Sequence, residues 1–141
     1  MTIKEIQEEI IEEFSMFDDW MDRYEYIIEL GKSLPIINDQ FKLDENLIKG
    51  CQSKVWLYSE LENEIIKYSA DSDAILTKGI AALLLRVYSG QRPEEIIAAE
   101  TSFIDEIGLK EHLSPTRANG LVSMIKQIKI YAIAQQSKLL N

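Results

Sequence analysis

The chain has 141 residues, of which 46% are hydrophobic and 28% charged. That is the composition of one globular domain, and it excludes a disordered or fibrous protein. Fifteen basic against twenty-four acidic residues leave a formal net charge of −9, which repels phosphate backbones, and no local basic patch offsets it, so no nucleic-acid partner is expected. A single cysteine and a single histidine exclude an internal disulfide and the usual structural zinc sites. The N-terminus lacks the basic start of a secretory signal, and the longest apolar run, Ile80 to Leu85, is too short to span a bilayer. With a reduced thiol, these features lead us to expect a cytoplasmic protein without a membrane partner.

Thr2 and Glu5 form a capping-box pattern ahead of Ile3, Ile6, Ile10, Ile11 and Phe14, predicting a first helix to about Phe14. Asp18 or Asp19 caps a second, with Trp20, Tyr24, Ile27 and Ile28 on one face and Gly31 as its stop. Ser33 to Asn46 reads as irregular chain, Pro35 blocking any continuation of the helix. Val55-Trp56-Leu57-Tyr58 and Ile65-Ile66-Lys67-Tyr68, separated by a turn at Glu62-Asn63, predict an antiparallel hairpin. A third strand is expected near Leu47-Ile48, because an isolated hairpin is marginal in water.

Ser72 or Asp73 starts the next helix, through Ile75, Ile80, Leu83, Leu84 and Val87 to Ser89-Gly90. Gly79 inside it costs about 1 kcal/mol relative to alanine and asks for a close packing contact. Pro93 opens a short helix with Glu94 to Ile97, and Ser102 to Ile107 another, closed by Gly108. Ser114-Pro115 begins the last helix, its stripe Leu121, Met124, Ile125, Ile128, Tyr131 and Ala132 facing the core. The expected fold class is α+β: a single domain over residues 1–141, with a small antiparallel sheet of about three strands packed against several helices.

Cys51 is the candidate for chemistry. It stands at a strand entrance beside Gly50, whose backbone freedom permits an unusual turn. Lys49 and Lys54 flank it, and positive charge favours the thiolate, the form that attacks sulfur or carbon electrophiles. Against this stands the ordinary role of a lone cysteine as a small buried hydrophobe in an interaction module. His112 offers a base for a cysteine–histidine pair, although Lys110-Glu111-His112-Leu113 reads as a solvated loop. Asp18-Asp19 and Asp71-Ser72-Asp73 read as helix caps rather than acid–base pairs or metal ligands. Trp20 and Trp56 read as core or pocket walls, and no phosphate-cradling glycine pattern is present.

Ile48-Lys49-Gly50-Cys51-Gln52-Ser53-Lys54-Val55-Trp56 resembles the V-x-G-C-Q-S-x-V-W signature of the SufE family, the sulfur acceptors of iron–sulfur cluster assembly. Asp19-Trp20 with Arg23-Tyr24 and Tyr26 to Gly31, Ala70-Asp71-Ser72-Asp73-Ala74, Gly79-Ile80, Tyr88-Ser89-Gly90, Pro93 to Ile96, and Leu113 to Met124 extend the resemblance over nearly the whole chain. One departure is Leu34-Pro35-Ile36-Ile37-Asn38, where the family has L-P-x-L-P. The resemblance implies a SufE/IscU-like fold and a persulfide carrier that is not itself an enzyme. Cys51 would take sulfur from a cysteine desulfurase of the SufS or CsdA type and pass it to a cluster scaffold of the SufBCD type. Gly50, Gln52, Ser53 and Arg117 would support the site, Arg117 as electrostatic partner of the thiolate. Pyridoxal phosphate would belong to the desulfurase, with no cofactor or metal here, and the protein would be a monomer or weak homodimer. The alternative is a cysteine-dependent hydrolase or thiol peroxidase using Cys51 with His112.

Exchange of sulfur between thiols favours one accessible cysteine and no resolving partner, since a neighbouring thiol would discharge the persulfide. A carried persulfide also needs shelter, for which Trp56 and the helix ends are the expected walls. A mobile loop from Leu47 to Ser53, hinged at Gly50, would turn inward alone and outward in a complex.

Overall fold

The computed structural model describes residues 1–140. Helix α1 (Ile3–Ser15) opens on the expected capping box: Glu5 N–H donates to Thr2 Oγ1 at 3.1 Å and Thr2 N–H to Glu5 Oε1 at 2.9 Å. Helix α2 (Trp20–Leu30) is capped by Asp19, whose Oδ1 accepts from Met21 N–H at 2.8 Å. Gly31 does not stop α2 by a left-handed turn. Its φ is −59° and the chain runs on into a 3-10 turn, Gly31–Ser33. Its small size serves packing instead, because a Cβ on Gly31 would lie 3.2 Å from the Gly79 nitrogen.

Within the region read as irregular, Asp39–Phe41 and Asp44–Asn46 form single 3-10 turns. Asn38, where the family motif has proline, takes φ −63°, a value that proline also imposes. Its side chain accepts from Gln40 N–H at 3.1 Å. Segment 35–37 is therefore held in place: Ala70 N–H donates to the Pro35 carbonyl at 3.0 Å and Ile37 N–H to the Ala70 carbonyl at 3.1 Å.

The sheet has two strands, β1 (Val55–Glu62) and β2 (Ile65–Ser72), antiparallel with Val55 opposite Ser72 and Glu62 opposite Ile65. The third strand expected at Leu47-Ile48 is present only as a single bridge to Trp56. The strands run further than their apolar cores, so Glu62 is paired and the turn is Asn63-Glu64, at φ +51° and +69°. This is the primed turn that matches strand twist; Asn63 tolerates positive φ, whereas Glu64 resists it. Glu64→Gly should raise stability by roughly 0.5–1 kcal/mol, read as a higher denaturant midpoint at unchanged slope. A lower midpoint would show that the turn carries no strain.

Val55 and Leu57 of β1 and Ile66, Tyr68 and Ala70 of β2 face the core. They pack against α3 (Ile75–Tyr88), which is buried almost continuously from Gly79 to Leu85. The expected caps of α3 act elsewhere: Ala74 is its N-cap, without a side-chain bond. Asp71 instead pairs with Lys42 at 2.6 Å and Lys78 at 3.5 Å, while Asp73 binds the chain before β1. Arg86 joins α3 to α1 through Glu13, at 2.8 Å, and Glu9.

Helices α4 (Pro93–Ala98), α5 (Ser102–Glu106) and α6 (Leu109–His112) are short. The last replaces the loop expected around His112. Helix α7 (Pro115–Leu140) closes the domain. Tyr68 O–H donates to the Ile128 carbonyl of α7 at 2.7 Å, and Tyr131 and Gln135 of α7 donate to the carbonyls of Leu57 and Ser59 at 3.3 and 3.4 Å. The architecture is one small α+β domain.

Candidate functional site around Cys51

The loop carrying Cys51 is pinned at both ends. Upstream, Ile48 N–H donates to the Val55 carbonyl at 2.8 Å. Downstream, Lys54 N–H donates to Asp73 Oδ1 at 3.0 Å and Asp73 N–H returns to the Lys54 carbonyl at 3.3 Å. Between these anchors Gly50 adopts φ +93°, and a Cβ there would come within 2.5 Å of Ser123 Oγ on α7. The conformation calls for glycine, and the missing Cβ leaves room for the Ser123 hydroxyl. The turn aims Cys51 at α7, where its S–H donates to the Gly120 carbonyl at 3.6 Å. A Cβ on Gly120 would touch Sγ at 3.4 Å, so a second glycine makes room for the sulfur.

Beyond Sγ lies a cavity of about 220 Å³. Gln52 and Ser53 of the loop, Thr77 and Ile80 of α3, and Arg117 and Met124 of α7 line it, with Ser114 and Thr116 also contributing. Arg117 is exposed, and its backbone N–H donates to the capping Ser114 hydroxyl at 3.3 Å. Trp56, expected as a wall, is not among the lining residues. Strand alternation turns Val55 and Leu57 inward and Trp56 outward, where Lys42 lies 5.4 Å over its ring.

Cys51 is half-buried, and burial pushes its thiol pKa above the ordinary value. The charge effect expected of Lys49 and Lys54 does not set this balance, because both side chains are exposed to water while the sulfur is turned under α7. The Gly120 carbonyl acts in the same direction as burial: it accepts a hydrogen bond from the thiol and has nothing to offer a thiolate. Only the thiolate alkylates, so at neutral pH Cys51 should react more slowly than a small exposed thiol. Its rate should keep climbing above about pH 8.5, the ordinary thiol value. A profile that levels at or below that pH would contradict the sheltered geometry.

His112 is not among the residues lining this cavity. Its ring stacks on Trp20 with centroids 3.8 Å apart, and Nδ1 donates to the Gly108 carbonyl at 3.0 Å. Tyr24 O–H donates to the His112 carbonyl. The histidine is thus built into the α2–α6 contact, and no cysteine–histidine pair is assembled.

The family model for SufE, an Fe–S metabolism associated domain, matches residues 8–132. The chain belongs to the SufE family. A SufE-like protein of Rhizobium etli is 43% identical over 127 residues, covering 86% of each chain. A SufE-like protein of Synechocystis is 38% identical, covering 90% of this chain and 80% of the relative. The chloroplastic/mitochondrial SufE-like protein 1 of Arabidopsis thaliana is also 38% identical, over 93% of this chain but 36% of that longer protein. A solution structure of a hypothetical protein from Thermus thermophilus superposes with a TM-score of 0.79 at 19% identity, covering 94% of this chain and 96% of that one. That likeness supports the fold.

Membership places the protein in iron–sulfur metabolism. Among the described residues, no helix is long and apolar enough to cross a membrane. The SufE-like signature around Cys51 forms the site's loop, and Ser114 to Gly120 of the downstream motif forms its far wall. Sequence reasoning assigned no site role to Thr77, Ile80 or the Gly120 carbonyl, although Ile80 and Gly120 stand within the motifs of the family resemblance.

Proposed function

We propose that Cys51 accepts sulfur from a cysteine desulfurase and relays it as a persulfide to the scaffold on which iron–sulfur clusters are built. One observation carries the reading: the only thiol of this SufE-family chain opens onto a cavity with room beyond Sγ. A volume of about 220 Å³ is several times the ~30 Å³ share of a water molecule, ample for one additional sulfur atom.

The transfer is an exchange. The Cys51 thiolate attacks the terminal sulfur of a persulfide on the partner's cysteine, and the partner's S–S bond breaks. The partner leaves as a thiolate, and Cys51 becomes Cys51–S–SH, which releases its proton to water to give Cys51–S–S⁻. No electrons are gained or lost overall, so no oxidant is needed. Loading requires the thiolate, which the resting site disfavours, and this suits a loop that leaves Gly120 when a partner docks. Gly50, at φ +93°, supplies the backbone freedom for that movement, which breaks the bond from Sγ to the Gly120 carbonyl. Liberating sulfur from free cysteine is the partner's chemistry, where pyridoxal phosphate is expected; this chain acts as carrier and stimulator in the cytoplasm.

Intact-mass measurement of the full chain, incubated with a cysteine desulfurase and free cysteine, should show one added sulfur. A chain that never gains sulfur from any desulfurase of its own source overturns the reading. His112→Ala should load like the wild type and retain most of the stimulation of alanine release, since its ring serves the contact with Trp20. A folded His112→Ala variant that fails to load would restore the cysteine–histidine enzyme.

A further inference from the structure

Of the buried polar side chains, Thr77, Gln91 and Gln135, only Thr77 lines the Cys51 cavity. Gln91 donates to the Met1 carbonyl at 3.2 Å and Gln135 to Ser59 at 3.2 Å. No group among the described residues takes a hydrogen bond from the Thr77 hydroxyl, although the residue is only 8% exposed. Valine would fill the same place in α3 at no loss of helix propensity. The hydroxyl therefore has no structural use in the sulfur-free protein.

A use exists once sulfur is loaded. A persulfide is more acidic than its parent thiol, so the terminal sulfur carries negative charge at neutral pH. The neutral thiol already has an acceptor in the Gly120 carbonyl, 3.6 Å from Sγ. An anionic sulfur cannot use that carbonyl and needs donors. Gln52, Ser114, Thr116 and Arg117 line the same cavity but are exposed, and Ser53 is half-buried, whereas Thr77, 8% exposed, is the most sheltered side-chain donor. A hydrogen bond to charge is stronger there than in solvent.

We propose that Thr77 binds the terminal sulfur of the Cys51 persulfide, its hydroxyl donating to the anion and slowing loss of sulfur to solution nucleophiles. This rests on Cys51 being a sulfur carrier, so the test loads the sulfur without any partner. Inorganic polysulfide supplies it: the Cys51 thiolate takes one sulfur atom and a polysulfide shorter by one sulfur leaves. The loaded full-length chain is freed of excess reagent, and sulfur loss to cyanide is followed by intact mass.

Thr77→Val should lose sulfur about tenfold faster than wild type, the effect expected of one hydrogen bond to a charged group. Thr77→Ser, which keeps the donor, should hold it nearly as long as wild type. Alkylation of the unloaded thiol should be equal in all three, which separates a lost donor from a disturbed loop. Equal sulfur lifetimes in Thr77→Val and wild type, or equally fast loss from Thr77→Ser and Thr77→Val, overturn the assignment. If wild type itself takes no sulfur on Cys51, the carrier reading fails first and Thr77 falls with it.

Discussion

Cys51→Ser should abolish sulfur loading completely while leaving the fold intact. The chain has no second thiol to substitute, and the hydroxyls around the cavity, those of Ser53, Thr77, Ser114 and Thr116, cannot form the S–S bond that holds sulfane sulfur. The serine hydroxyl occupies nearly the same space and can still donate to the Gly120 carbonyl, so thermal unfolding should stay close to wild type. Intact mass after incubation with desulfurase and cysteine reads the loss directly. Covalent sulfur on the variant, at any stoichiometry, would remove Cys51 from the centre of the mechanism.

The largest expected effect on stability lies at Gly79. A Cβ there would stand 2.1 Å from the Ile27 carbonyl oxygen and 2.7 Å from the Ile27 carbonyl carbon. Those are backbone atoms of α2, so no side-chain rotation relieves the overlap, and α2 and α3 must separate. Gly79→Ala should cost roughly 3 kcal/mol or more, at or above the upper end of ordinary overpacking, from a total stability of about 5–15 kcal/mol. Urea unfolding measures it. Gly31→Ala, whose Cβ would meet Gly79 at 3.2 Å, should be milder. A Gly79→Ala midpoint close to wild type would mean that the two helices slide freely past each other.

Much of the fold was legible because its signals are local. The Thr2–Glu5 box, the Asp19 cap and the Ser114-Pro115 start each act within one helical turn. The misread residues have partners distant in sequence. Gly31 resembles a helix stop because its contact with Gly79 cannot be seen from neighbouring residues. Asp71 resembles a cap because Lys42 lies across the sheet. At the site, the motif located Cys51, but its surroundings come from α3 and α7, whose approach only folding reveals. The outward direction of Trp56 was available from alternation, since Val55 and Leu57 are the natural inward pair.

A two-stranded sheet leaves two rows of backbone groups open to any passing extended chain, the usual starting point for strand-to-strand aggregation. Here one row is occupied by segment 35–37 and Gln91, which bond to β2. The other is met by Leu47 and then by the Tyr131 and Gln135 side chains, which bond the Leu57 and Ser59 carbonyls. Two residues one helical turn apart thus stand in for a missing strand without offering an edge of their own. Gln135 lies beyond residue 132, where the family match ends. The tail of α7 acts as a guard rail for the hairpin, and cutting the chain before Tyr131 would turn a closed sheet into a sticky one.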